Sequence, residues 1–340
     1  MAESTSPPGE RGKRRKPKAQ LVMMISAACG AAVILVVSMV TNWSEPGGGV
    51  VAGARGTGSS TTTAPPPVFE AKSGTCLNWT ESNATDARQL NCSDPHLFEV
   101  TGTVELGPEL GPNAPYPTTE QWMQIKQQRC TEVAVRYLKG DFDEEGRFIV
   151  GAFPPPQESW ANGDRTLHCG LQRPGPAGEL LRFSGSVRDL DQSDVYDIGT
   201  CLGISGAAMS GPTSCAEPHS VEVTGIVDLG KEFSAGYPPS AKQDPFLATK
   251  CNELTAKYAG SPTAAKDKKL TVYWDTLSKQ SWEAGSRKVD CKVSALLPDD
   301  AGFAPVTGSI AGQVQIGTEP APTDSSAAPT TVPETGTETG

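Results

Sequence analysis

A four-cysteine pattern occurs twice in this chain, and it restricts the fold more than any other feature. The first copy reads Gly74-Thr75-Cys76-Leu77, then Cys92-Ser93-Asp94-Pro95-His96, Glu99-Val100-Thr101-Gly102, Cys130, and Trp160-Ala161-Asn162-Gly163-Asp164-Arg165 before Cys169. The second reads Gly199-Thr200-Cys201-Leu202, Cys215-Ala216-Glu217-Pro218-His219, Glu222-Val223-Thr224-Gly225, Cys251, and Trp282-Glu283-Ala284-Gly285-Ser286-Arg287 before Cys291. Corresponding cysteines lie 125, 123, 121 and 122 positions apart, which makes the copies tandem versions of one unit. Eight cysteines in two equivalent sets of four point to a disulfide framework in an oxidising compartment. Zinc is the rival reading, but it favours close pairs such as Cys-x2-Cys, and the closest cysteines here are 16 and 14 residues apart. The ninth, Cys29, sits in an apolar run.

That run, Leu21 to Val40, has twenty residues without a charge and is long enough to cross a bilayer as a helix. Residues 1–43 hold six Lys or Arg against two acids, so the positive-inside rule puts the N-terminus in the cytoplasm. Small residues four apart, such as Ala27 and Ala31, offer a weak homodimer contact through this helix. The rest of the chain carries the whole of the net −10 and more, which argues against nucleic acid as a partner. The expected organisation is a basic cytoplasmic tail (1–20), a transmembrane anchor (21–42), a Gly/Ser/Thr/Pro tether expected to be disordered (43–70), unit one (71–187), unit two (196–312) and a disordered tail (313–340). The chain would then be a single-pass plasma-membrane protein with its units outside the membrane.

Within each unit, Leu97 to Leu106 and Ser220 to Leu229 read as strands or a hairpin, and Phe148 to Val150, Leu270 to Tyr273, Leu167 to Leu171 and Lys288 to Val293 read as strands. Trp122, Ile125, Cys130, Val133 and Tyr137 recur at intervals of 3, 5, 3 and 4, and Leu247, Cys251, Leu254 and Tyr258 at 4, 3 and 4. Both series trace one helical face that carries the third cysteine into the core. The expected class is α+β, with one helix packed on a small, mainly antiparallel sheet in each unit. Four cysteines allow three pairings per unit. The one expected joins Cys76 with Cys92 and Cys130 with Cys169, and likewise Cys201 with Cys215 and Cys251 with Cys291, closing a short loop and clamping helix to terminal strand.

Few residues suggest chemistry. His96 and His219 are equivalent, each following an acid and a proline and preceding Glu99 or Glu222 by three. On a strand that offset puts the two side chains on opposite faces, which favours a turn in which the imidazole satisfies a backbone carbonyl over a metal site. Trp160 with Arg165 and Trp282 with Arg287 would suit a ligand surface if exposed, by stacking and bidentate hydrogen bonding. The alternative is a core Trp beside a disulfide and an Arg paired with a local carboxylate. No Gly-x-Ser-x-Gly, His-Glu-x-x-His or phosphate-cradling loop is present, so no enzymatic activity and no cofactor is expected.

The order Gly-Thr-Cys-Leu, Cys-x-x-Pro-His followed by Glu-Val, Tyr-Pro, a helical Cys, and Trp-x-x-Gly-x-Arg before the last Cys resembles the septum-formation domain family of actinobacteria. Ser286 stands where the first copy has Asp164. The resemblance implies a membrane-anchored protein of envelope and division biology and supplies no catalytic residues. The expected function is an extracytoplasmic binding or scaffold protein whose partner is an envelope protein or cell-wall polymer. The competing expectation is a metal-dependent envelope hydrolase using His96 and His219.

Overall fold

The computed structural model describes residues 71–298 and 301–317. The expected anchor, its flanking tail and tether, and residues 318–340 lie outside the described residues. Among the described residues no helix is long and apolar enough to cross a membrane.

The first half builds a six-stranded sheet from β1 (Cys76–Asn78), β2 (Arg88–Leu90), β3 (Phe98–Glu105), β4 (Ile149–Phe153), β5 (Thr166–Pro174) and β6 (Leu180–Leu181). The order is β2-β1-β3-β5-β4, with β6 paired to β5, and every pairing is antiparallel. The second half uses β7 (Cys201–Ser205), β8 (Ala208–Thr213), β9 (His219–Asp228), β10 (Thr271–Trp274), β11 (Lys288–Leu296), β12 (Phe303–Ala304), β13 (Val306–Thr307) and β14 (Gln315–Ile316). Its central order, β7-β9-β11-β10, repeats the β1-β3-β5-β4 order of the first half, again antiparallel throughout. The sheet continues past residue 312, where a tail was expected: β14 pairs with β13, so the peptide groups of Gln315 and Ile316 are spent on the ladder.

One face of each sheet is covered by a helix carrying the third cysteine. In the first half α1 (Thr119–Ile125) begins at a capping box in which Gln121 N–H donates to Thr118 Oγ1 and Thr118 N–H donates to Gln121 Oε1. A π-helical turn over Lys126–Cys130 follows, and α2 (Thr131–Tyr137) completes the rod. A short helix α3 (Gln157–Ala161) precedes β5. In the second half the rod is one α-helix, α4 (Ser240–Ala259), despite Pro245 inside it, and it ends at Gly260 in the left-handed region (φ 72°). The short helix α5 (Lys279–Glu283) takes the place of α3.

The structure forms the pairs Cys76–Cys92, Cys130–Cys169, Cys201–Cys215 and Cys251–Cys291, the connectivity expected. Cys130 and Cys169 sit in a fully buried cluster with Trp122, Val133, Leu167 and Leu171, and Cys251 and Cys291 in one with Leu247, Val289 and Trp282. Each bond contributes about 2–4 kcal/mol by restricting the unfolded chain.

The Glu-Val-Thr-Gly motif now has a physical account. Thr101 and Thr224 fall where the register between the central strands shifts, a bulge in both sheets. The glycine that follows lets the helix come close, since a Cβ on Gly102 would lie 3.0 Å from Val133 and one on Gly225 would lie 2.8 Å from Leu254.

Candidate functional site

The glutamate that opens the motif is buried and held by three donors in each half. Glu99 is fully buried and accepts from the Tyr137 hydroxyl, from Ser186 Oγ at 2.8 Å and from Val187 N–H at 2.7 Å. Glu222 does the same with Tyr258 at 2.8 Å, Ser309 Oγ at 2.5 Å and Ile310 N–H at 2.8 Å. A buried carboxylate held by three donors is the arrangement that offsets the cost of removing it from water. Burial and the bond to Glu99 push the Tyr137 hydroxyl up to about 12, and burial followed by the bond to Glu222 also raises Tyr258. The segment beyond the last long strand is thereby strapped to the sheet. A second tie fastens it: Gly185 N–H donates to Cys92 O and Gly308 N–H to Cys215 O, at 2.6 and 2.7 Å.

Sequence reasoning missed this strap. Its signal is Gly185-Ser186-Val187 against Gly308-Ser309-Ile310, separated by 123 positions like the second cysteines. The glycine of Gly-Thr-Cys-Leu belongs to the same assembly. Gly74 and Gly199 adopt φ 89° and 90°, and a Cβ there would meet the hydroxyls of Tyr137 and Tyr258.

His96 and His219 are buried beside this assembly. Their Nδ1 atoms lie 2.8 Å from Asp94 O and 2.9 Å from Glu217 O. A carbonyl only accepts, so Nδ1 carries a proton, and in the neutral tautomer that this fixes the lone pair is on Nε2. Both Nε2 atoms are buried with no hydrogen-bond partner. Cys76 Sγ, a ring nitrogen of His96 and a Glu99 oxygen lie within 4.8 Å of one another, a grouping with the right elements for a metal; in the second half the corresponding set is Cys201, Cys215 and Glu222. The donor chemistry does not fit a resident ion in this state. The sulfurs are tied into disulfides, whereas the ligand form of cysteine is the thiolate.

Trp160, Arg165 and Trp282 are buried and Arg287 is half-buried, so they form no exposed ligand surface. The Arg165 guanidinium stacks 3.7 Å from the Trp160 ring and donates to the carbonyls of Leu110, Gly111, Pro112, Trp160 and Asp164. Its partners are carbonyls rather than the carboxylate the sequence suggested, because the 110–112 loop turns its peptide oxygens inward and needs donors. Trp160 Nε1–H is spent on Ala114 O at 2.9 Å. Arg287 stacks on Trp282 at 4.1 Å and donates to Trp282 O and Ser286 O.

Ser286, the departure from the first copy, joins the two halves. Its hydroxyl donates to the buried Asp143 carboxylate at 2.5 Å, and Ser278 and Ser281 donate to Glu145. From the connecting segment, Ser193 Oγ accepts from the N–H groups of Arg287 and Lys288, both at 3.0 Å. Lys288 pairs with Asp191 at 2.8 Å. A cleft of about 210 Å³ opens along this seam, lined by Asp143, Glu145, Asp194, Asp275 and Lys288 among others.

Comparison with known proteins finds a family and two relatives. The family model described as septum formation matches residues 73–291, more than half of the chain. Uncharacterized membrane proteins from two strains of Mycobacterium tuberculosis are 36% identical over 256 residues, covering 73% of this chain. The chain spans 57% of the length of those relatives. No solved structure matches. On the extent of the family match and the identity to these relatives, the chain belongs to the septum-formation family.

Proposed function

We propose that this protein is a non-enzymatic binding or scaffold protein of the cell envelope, anchored through residues 21–42 with its N-terminus cytoplasmic and its two halves, as tandem units, outside the membrane. The observation that carries the reading is family membership over residues 73–291, together with relatives named as membrane proteins. Two further facts support it. The four disulfides suit an oxidising exterior, and the Trp–Arg pairs and the histidine Nδ1 atoms are engaged in holding the fold. The partner would be another envelope protein or a cell-wall polymer near the septum.

Deletion in the native host tests this directly. Septum number and placement, cell shape and envelope permeability are measured by microscopy and dye uptake, and a change restored by the intact gene is expected. Unaltered septation, shape and permeability would remove the proposed role. Topology is tested separately by fusing alkaline phosphatase to the C-terminus, where activity is expected only if that end lies outside.

A further inference from the structure

The four disulfides fall into two kinds. Cys130, Cys169, Cys251 and Cys291 are all completely buried, so neither sulfur of those bonds meets solvent. In the short-loop bonds one side is buried, with Cys76 at 0% and Cys201 at 1% exposure, while Cys92 and Cys215 are only partly buried. Exchange requires a thiolate to reach one sulfur and expel the other, so access and the fate of the leaving sulfur decide which disulfides react.

The leaving sulfur lies near a buried glutamate in both halves, and near a histidine ring nitrogen in the first. Cys76 Sγ lies within 4.8 Å of a ring nitrogen of His96 and of a Glu99 oxygen. His96 Nε2, buried and without a donor, is an acceptor waiting for a proton-bearing partner, and His219 Nε2 is orphaned in the same way. A native group of this kind calls for an explanation.

We propose that Cys92 and Cys215 are modification sites at which an external dithiol exchanges with the Cys76–Cys92 and Cys201–Cys215 disulfides. One thiolate of the dithiol attacks Cys92 Sγ, forming a mixed disulfide as the Cys76–Cys92 bond breaks. Cys76 leaves with the electron pair, takes a proton from water and, as a thiol, gains an acceptor in the His96 imidazole. The second thiol of the reagent, as its thiolate, then attacks the mixed disulfide, which releases Cys92 as a thiolate that takes a proton from water and leaves the reagent oxidised to its own disulfide. Because Cys92 O and Cys215 O hold the straps through Gly185 and Gly308, opening these bonds loosens the segments that cap Glu99 and Glu222. The inference concerns the fold's own chemistry and does not depend on the proposed envelope role.

The test uses the full-length protein under native conditions. It is exposed to graded dithiothreitol, quenched with an alkylating agent and mapped by peptide mass spectrometry. Cys76, Cys92, Cys201 and Cys215 are expected to become labelled at least ~10-fold faster than Cys130, Cys169, Cys251 and Cys291. Simultaneous opening of all four bonds, or earlier opening of the buried pair, would overturn the proposal. Glutathione in place of dithiothreitol traps the first step, and the adduct is expected on Cys92 and Cys215; an adduct on Cys76 or Cys201 would also overturn it. In a His96→Leu variant the opening equilibrium of Cys76–Cys92 is expected to shift several-fold toward the disulfide while Cys201–Cys215 serves as internal control, and an unchanged equilibrium would overturn the role of His96 as acceptor of the Cys76 thiol.

Discussion

The two halves share their disulfides, their central strand order and their strapped glutamate, yet they fill the sheet face away from the helix in opposite ways. In the first half Trp79, Phe98 and Phe153 meet edge to face or tilted, with ring centroids 5.0–6.3 Å apart, and the cover comes from the loop after β1. Gly170 on β5 makes room for them, since a Cβ there would lie 2.1 Å from the Phe98 ring. One residue past the last cysteine of the second half stands Lys292 instead, nearly buried and paired with Asp275. Its neighbour Asp290 is fully buried, with Oδ2 accepting from Tyr196 N–H at 3.1 Å and Oδ1 unpartnered. The cover there is the segment that connects the halves. The framework thus fixes one layer and leaves the other free to be apolar or ionic.

Exchanging the two solutions should break the first half most severely. Gly170→Ala places a methyl against the Phe98 ring and within 2.5 Å of Glu99 O, which is backbone and cannot rotate away. A loss of about 3 kcal/mol is expected in chemical denaturation, with the near-ultraviolet signal of Trp79 altered. A loss below about 0.5 kcal/mol would show that the aromatic layer is looser than its packing implies.

The ionic layer is expected to respond to pH instead. Burial pushes the Asp290 carboxyl up to about 7, although Lys292 acts in the other direction. A carboxyl that is harder to ionise when folded binds more protons in the native state between its unfolded value near 4 and about 7, so stability falls as pH rises through that window. Asp290→Asn keeps an oxygen for Tyr196 N–H and removes the titration. The variant should gain about 4 kcal/mol over the parent at pH 8 relative to the difference at pH 4. Parallel stability curves for the two proteins would show that Asp290 is ionised at little cost.

How much of this could be read in the sequence depends on distance along the chain. The disulfides, the central strands and the helices were legible because cysteine spacing and apolar period are local or duplicated signals. The strap was not, although its residues are duplicated too, because Glu99 meets Tyr137 and Ser186 across separations of 38 and 87 residues. The Trp–Arg pairs were legible as pairs but not as core, since nothing in the motif reveals that the 110–112 carbonyls point inward. The opposite sheet faces were hidden in alternate strand positions, where Gly170 and Lys292 look unrelated until the cysteines are aligned.

The seam offers a smaller test of whether the halves act as one body. Ser286→Ala removes the donor to Asp143 Oδ2 while Glu145 N–H still serves Oδ1, so about 1 kcal/mol should be lost. The loss should appear as faster amide exchange in the 143–147 and 191–196 segments together. Faster exchange on one side alone would mean that the halves open independently.

The smallest expected effect concerns the rods. The five-residue gap between Ile125 and Cys130 coincides with the π turn, whereas Leu247 and Cys251, four apart, lie on uninterrupted α-helix. A turn closed by i→i+5 bonds is wider, which brings apolar side chains five apart onto one face. Lys126 occupies the position that Leu247 holds in the second rod, counted back from the cysteine. Lys126→Leu restores the four-residue spacing and should convert the segment to α-helix with a stability change under about 1 kcal/mol, read from the amide hydrogen-bond pattern by NMR. Persistence of the π turn would identify another cause: Trp122, which packs against both Tyr116 and Trp160 at 5.5 and 5.6 Å, would then be what holds the upstream turn in place and forces the helix to widen before it reaches the disulfide.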